Sequence, residues 1–378
     1  MKVFVLGTRG FPGIQGGIEK HCAELYPRLN ALGCRVTVLT RTGYMPKHRR
    51  VSKKNGIRFC HVWAPRNRYF ETLIHTFLGI IIARLHSPDI VHIHAIGPCL
   101  LVPLARVLGL KVVMTHHGPD YKRAKWKRFA KLILRTGEFV GIWFSNHVIS
   151  VSRTVGIRLG QKYPKARIRY IPNGVALPTK HIDKTILARF GIEPHKYILT
   201  ACRFVPEKGL HDLIAAYESL KKPGFKLVIA GDADHETGYS RKLKESARKN
   251  TNIILTGSLG HQQLSTFYAH AKLFVLASYY EGLPIALLEA LSHSLPVLVS
   301  DIEATREIPL PEYRYFPVHD INTMAEKILE LTKQPLVREE VRSSIRLVRD
   351  QYDWQKIAEQ TRAVYEQVDR QRSRHLAY

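Results

Sequence analysis

Short apolar runs alternate with helical patterns along almost the whole chain, and this alternation restricts the folds open to it. In the first half, runs at residues 3–6, 36–39, 57–62, 90–94, 112–115, 148–151 and 168–171 have the length and composition of buried strands. Helical periodicity fills several gaps, at 18–32, 72–85 and 100–108. Strands and helices alternating at this spacing predict an α/β chain with doubly wound parallel sheets. Pro27 is expected to kink or shorten the first helix. Ile171-Pro-Asn-Gly-Val175 and Leu177-Pro178 are turn chemistry, expected to form a hinge. Beyond it the pattern repeats, with strands expected at 198–201, 227–230, 253–255, 273–276 and 296–300. Helical patterns dominate from 322, and the last covers 354–368 with Asp353 as a candidate N-cap. Two such sheets joined by a hinge predict a cleft, with ligands at the carboxyl ends of the strands.

Charge divides the chain at the same place. The net charge is +27; residues 1–175 carry +24 of it and residues 176–378 only +3. A basic half of this kind calls for a polyanionic partner. Five cysteines show no C-x-x-C pairing, and the opening run at 1–7 is too short for a signal sequence, so free cytosolic thiols are expected. The longest apolar stretch, 73–85, is too short to span a bilayer.

The stretch 277–301 holds the densest chemistry. Glu281-Gly282-Leu283-Pro284-Ile285 follows a strand and opens a helix, since Pro is favoured at a helix start. Free N–H groups at such a start attract phosphate. Glu281 precedes the helix, and Glu289 lies within it among Ala, Leu and Ile. Carboxylates there accept hydrogen bonds from sugar hydroxyls; the plainer reading is a dipole-complementing acid and a solvated one.

Four other motifs sit at strand ends. Five glycines fall between Gly7 and Gly17, where the backbone can approach a ligand; G-x-G-x-x-G is absent, which disfavours a dinucleotide enzyme. Thr115-His116-His117-Gly118 holds adjacent histidines that cannot face one way on a strand, against a paired metal site. His92 and His94 do share a face, and with no third ligand evident nearby they read as structural. Arg203-Phe-Val-Pro-Glu207-Lys208-Gly209 offers a guanidinium fork and a point charge suited to a diphosphate. Asp232-Ala-Asp234 is a carboxylate pair that reads as loop acids.

The pair Glu281 and Glu289, with seven residues between them that include Gly282 and Pro284, resembles the E-x7-E signature of the family 4 retaining glycosyltransferases. The resemblance extends over most of the chain. It implies the GT-B fold: two Rossmann-like domains facing a cleft, with a C-terminal helix crossing back to the first. The implied boundaries are 1–175 for an acceptor-binding domain, 176–352 for a nucleotide-sugar-binding domain and 353–378 for the returning helix. In the family, residues matching Glu281 contact the donor sugar and those matching Glu289 hold the ribose. The match implies pyrophosphate binding by Arg203 and Lys208, and donor contacts at Gly16, Gly17, Gly282, Leu283, Pro284 and Ile285. It puts His117 near the reacting sugar, with His116 as the fallback. Cys202 stands where the family usually has Gly, as does Ala233. The Asp232–Asp234 pair resembles the metal motif of a different glycosyltransferase fold, GT-A, but no metal or other cofactor is expected.

The implied reaction is transfer of a hexosyl unit from a nucleotide-sugar, UDP-linked first and GDP-mannose second, to a glycan or lipid-linked acceptor in envelope polysaccharide synthesis. Two other functions fit parts of the sequence: a non-catalytic binder of anionic polymers, and a GT-B nucleotide-sugar epimerase. No RRM, KH or zinc-finger pattern supports nucleic acid as a partner. The +24 half instead suggests an anionic membrane surface. Tyr121–Arg135 carries seven Lys and Arg, and Trp126, Phe129, Ala130 and Ile133 share one helical face. That stripe either packs on the sheet or lies in a membrane interface, giving a peripheral enzyme on the cytoplasmic leaflet.

Overall fold

The computed structural model describes the chain except residues 15, 45–50, 66, 68, 69, 123–127, 179–183, 222, 234, 235, 335, 336 and 371–378. The chain divides into two compact units. Unit 1 is Met1–Asn173 together with the segment from Trp354 onward, and unit 2 is Gly174–Asp353.

Unit 1 runs β1 (Lys2–Leu6), α1 (Gly17–Ala31), β2 (Arg35–Arg41), β3 (Val51–Lys54), β4 (Ile57–Val62), α2 (Glu71–His86), β5 (Ile90–His94), α3 (Val102–Val107), β6 (Val112–His116), α4 (Arg128–Phe144), β7 (His147–Ser150), α5 (Arg153–Lys162) and β8 (Ile168–Tyr170). Its sheet has the order β3-β4-β2-β1-β5-β6-β7-β8. All pairs are parallel except β3 with β4. That edge hairpin turns at Asn55-Gly56, a two-residue turn signal. Apolar content alone did not reveal β3, because its edge position is marked by Lys53 and Lys54.

Unit 2 continues with α6 (Thr185–Arg189), β9 (Tyr197–Ala201), α7 (Leu210–Ser219), β10 (Lys226–Ala230), α8 (Gly238–Arg248), β11 (Ile253–Gly257), α9 (His261–His270), β12 (Leu273–Leu276), α10 (Ile285–Ser292), β13 (Val297–Ser300), α11 (Glu303–Arg306), β14 (Tyr315–Phe316), α12 (Ile321–Lys333) and α13 (Arg338–Gln351). Its sheet is wholly parallel, in the order β11-β10-β9-β12-β13-β14. The last helix, α14 (Trp354–Arg370), belongs to unit 1. It buries Trp354, Ile357, Val364 and Tyr365 with Leu25, Tyr26 and Leu29 of α1 on one face of that sheet. The other face of the sheet is covered by residues of α2 and α3 and by Ile142 of α4.

Three local expectations change. Helix α1 is not shortened at Pro27; it runs to Ala31, and fully buried Tyr26 and Leu29 on either side hold that stretch against the core. The helix expected at 100–108 is a 3₁₀ turn, Pro98–Leu101, followed by α3 with Pro103 in its first turn. The pattern at 121–135 becomes a 3₁₀ turn at Asp120–Lys122 and then α4 from Arg128. Arg123, Lys125, Trp126 and Lys127 lie outside the described residues. All five cysteines are free. Among the described residues no helix is long and apolar enough to cross a membrane.

Candidate active site

In unit 2 the strand order reverses between β9 and β12, and open α/β sheets bind ligands in the crevice at such a reversal. The loop leaving β9 carries Arg203 and Lys208, and the loop leaving β12 carries Glu281 to Pro284 and leads into α10 at Ile285. Lys208 Nζ is ion-paired with Glu281 Oε1. Ser278 Oγ donates to the same oxygen at 2.7 Å. Gly209 adopts φ 61°, and a Cβ there would lie 2.1 Å from the Ala277 carbonyl oxygen, so the two loops meet only because residue 209 is glycine. The Tyr279 N–H donates to the Glu207 carbonyl at 2.9 Å and ties them again. Burial pushes the Cys202 thiol up to about 12, while the charges of Lys208, Glu281 and Arg203 also act on it.

Helix α10 begins beside this cluster. Pro284 precedes it in extended geometry and provides no side-chain cap, and the first turn holds no acid. Leu283 is buried and anchors the approach. The first-turn N–H groups thus have no side-chain acceptor in the cap position, as an anion site at a helix start requires. Glu289 lies about 6 Å further along the helix. It is buried, and Tyr268 OH donates to its Oε2 at 3.1 Å. Asp232 is held by Lys244 at 2.7 Å and by the Ala233 N–H at 2.7 Å. Asp234 lies outside the described residues.

Unit 1 has its own reversal, between β1 and β5. The glycine-rich loop leaves β1 there and ends at Gly16 and Gly17, the latter opening α1. Gly16 has φ 156°, and a Cβ there would lie 2.0 Å from Glu19 Oε2. Glu19 is buried and paired with Arg9 at 3.1 Å, so this loop is braced by charge. His116, at the end of β6, is buried with both ring nitrogens engaged. Its Nε2 donates to buried Glu138 at 3.1 Å and its Nδ1 accepts from the Gly118 N–H at 3.2 Å. His117 is half-buried, and its Nε2 lies 3.0 Å from His94 Nδ1.

His92 and His94 extend this arrangement inward. Tyr26 OH lies 2.5 Å from His94 Nε2 and 3.0 Å from His92 Nδ1. His92 also meets Tyr365 OH and Thr115 Oγ1, each at 2.6 Å. A third histidine, His21 of α1, stands edge-on to both His94 and His117. Burial lowers the His92 pKa to about 3 and the His21 pKa to about 4, and drives that of His94 well down.

Several residues of these groups escaped the sequence reading. Ser278, Tyr268 and Glu138 belong to no motif, and their roles follow from packing. Asn173 was legible only as part of a turn; it is buried and accepts from His21 Nδ1 at 2.9 Å. Its one signal was an amide within a Pro-Asn-Gly turn.

Two family models match the chain: "Glycosyltransferase Family 4" over residues 15–177 and "Glycosyl transferases group 1" over residues 183–369. The alpha-galactosylglucosyldiacylglycerol synthase of Streptococcus pneumoniae is 26% identical over 50% of this chain and 52% of its own length. Sucrose-phosphate synthase from Thermosynechococcus elongatus superposes with a TM-score of 0.83 at 20% identity, over 97% of this chain and 98% of that one. Anabaena HepE, solved with UDP-glucose, gives 0.78 at 15% identity over 97% and 100%.

Proposed function

We propose, for a chain that is a group 1, family 4-like glycosyltransferase of the GT-B fold, that it moves a hexosyl unit from a nucleotide-sugar to a lipid-linked glycan acceptor, with retention at the anomeric carbon. The observation that carries this reading is the meeting of Lys208 and Glu281 at the β9–β12 reversal, beside the uncapped start of α10. Lys208, Arg203 and the N–H groups of Gly282, Leu283 and Ile285 balance the charge that develops on the leaving diphosphate. Glu289 holds the ribose hydroxyls. Glu281 orients the sugar: one oxygen is already committed to Lys208 and Ser278, which makes the carboxylate a poor nucleophile. Retention then follows from same-face attack, with a donor phosphate oxygen taking the acceptor proton. His117, with Gly16 and Gly17 on the same unit, contacts the sugar and phosphate side of the donor.

A UDP-sugar is the first donor to test and GDP-mannose the second. HepE binds UDP-glucose on this fold. The positive charge a divalent cation would supply comes instead from Lys208, Arg203 and the helix start, so EDTA should leave turnover intact. Loss in EDTA restored by Mn²⁺ would return Asp232 and Asp234 to consideration.

The acceptor is assigned to the basic unit 1 and to a membrane surface. Helix α4 turns Gly137, Glu138, Gly141 and Ile142 inward and leaves Phe129, Leu132, Phe139 and Trp143 exposed. Phe129 is 74% and Trp143 56% exposed. An outward apolar stripe flanked by Arg128, Lys131 and Arg135 fits an anionic leaflet. The S. pneumoniae relative is named for a glycolipid product.

The test is nucleotide release from a panel of UDP-, GDP-, ADP- and TDP-sugars with a membrane extract as acceptor. One donor should turn over, and Lys208→Ala should lower its kcat/KM about 10²- to 10³-fold with the fold intact. Near-normal turnover in that variant would remove diphosphate binding from the loop.

A further inference from the structure

We infer that His21, His94 and His117 form a site for one late first-row divalent ion, Zn²⁺ being the best match. Among the described residues these three side chains are the one group of three or more possible ligands that converges, and their ligand nitrogens all lie within 4.8 Å of one another. Three separate elements supply them: α1, the end of β5 and the loop after β6. Tetrahedral Zn–N bonds of 2.0–2.1 Å put ligand nitrogens about 3.3 Å apart. His94 Nδ1 and His117 Nε2 stand at 3.0 Å already. His117 is half-buried, so its ring has room to adjust toward His21.

His21 carries the argument furthest. Asn173 Oδ1 can only accept, so the 2.9 Å contact requires a proton on His21 Nδ1. Its Nε2 is therefore a bare lone pair. That atom is buried and has no hydrogen-bond partner among the described residues, which costs free energy unless something uses it. Metal-bound histidines commonly donate their other nitrogen to a fixed acceptor, which sets tautomer and ring orientation. Asn173 does this for His21, and Tyr26 is placed to do it for His94. His92 stays outside the site because Tyr26, Tyr365 and Thr115 take both its nitrogens. Burial keeps His21 and His94 uncharged at neutral pH, the state in which imidazole binds a metal. With an ion present, the proton between His94 and His117 shifts to an outer ring nitrogen, without net release. Three histidines leave a fourth position for water or another ligand.

The ion is no cofactor for transfer. It fixes the ring of His117, the side chain proposed to contact the sugar, so its presence should slow turnover. That consequence rests on the role proposed for His117; the binding itself does not. The experiment uses the full chain, stripped with chelator and dialysed, then titrated with Zn²⁺ by calorimetry and with Co²⁺ by visible absorption. Wild type should bind one ion per chain with a tetrahedral Co²⁺ spectrum. His21→Ala and His117→Ala should each weaken binding at least about 100-fold, and Asn173→Ala about 10- to 100-fold. Thermal melts check folding, and half-buried His117 supplies the variant least exposed to misfolding. No uptake by wild type, or uptake unchanged in both histidine variants, would overturn the site. Inhibition of nucleotide release by Zn²⁺, reversed by EDTA, supports both the site and the role of His117. Specific binding without inhibition supports the site and removes His117 from the reaction.

Discussion

At the scale of single residues, the two acids of the second unit differ in what holds them. Glu289 is buried and bonded to a buried tyrosine, whereas Glu281 is tied to a lysine and a serine at the loop mouth. Glu289→Ala should weaken binding of free UDP about 10- to 100-fold, the value of a hydrogen bond to a charged group. Glu281→Ala should spare that binding and lower transfer. Calorimetry with UDP alone separates the two, and equal, wild-type affinity in both variants would end the ribose assignment. Spacing made both acids visible in the sequence. Tyr268 was not visible, because it reaches Glu289 from another helix, 21 residues away.

At the scale of elements, α4 shows what two small residues permit. A Cβ at Gly137 would lie 2.3 Å from the Ile96 carbonyl oxygen, and one at Gly141 would lie 2.6 Å from Cys99 Cβ. The helix lies against the turn after β5 because both positions are glycine. Gly137→Ala should cost about 1–3 kcal/mol, seen as a lower Tm, since backbone must move to admit the methyl. The sequence pattern marks Trp126, Phe129, Ala130 and Ile133 as one stripe, of which Trp126 lies outside the described residues. In the fold Phe129 points out, and the seam turned inward contains the glycines, which hydropathy does not mark. The outward stripe predicts co-sedimentation with anionic vesicles at low salt, weakened by salt. Binding should fall when Phe129, Leu132 and Trp143 become Ser, and again when Lys122, Arg128 and Lys131 do. Equal binding to neutral vesicles, or none at low salt, would refute membrane docking through this face.

For the whole molecule, the two units should differ in acid stability. Unit 1 buries His21, His75 and His92, whose pKa values fall to about 4, 3 and 3 from an ordinary 6.5, chiefly through desolvation. A depressed histidine favours the native state while neutral. Its contribution is complete above the unfolded pKa near 6.5 and is lost as pH falls toward the folded value. Each such imidazole therefore withdraws stability from unit 1 as the pH falls below about 6.5. Amide exchange between pH 6.5 and 4 should show protection lost in unit 1 before unit 2. Simultaneous loss, or earlier loss in unit 2, would mean that these imidazoles do not govern acid unfolding.

By itself the sequence determined what is local or periodic. Strand and helix alternation follows from where apolar side chains recur. The division of charge between halves is composition, and the strand-end loops carrying Arg203, Lys208 and Glu281, with Glu289 in the helix that follows, are contiguous motifs. Tertiary structure decided which of these side chains meet. Strand order puts β9 beside β12, and only then can Lys208 reach Glu281 across 73 residues of chain. The same holds for His21, His94 and His117, drawn from three elements by the β1–β5 reversal, and for Asn173, 152 residues from the histidine it orients. Local propensity acts over a few residues, whereas these contacts depend on sheet topology and the burial that drives it. His92 and His94 show the difference most plainly. One strand face and one spacing make them equivalent in the sequence, and their neighbours in the fold give one ring to a hydrogen-bond network and leave the other turned toward two more histidines.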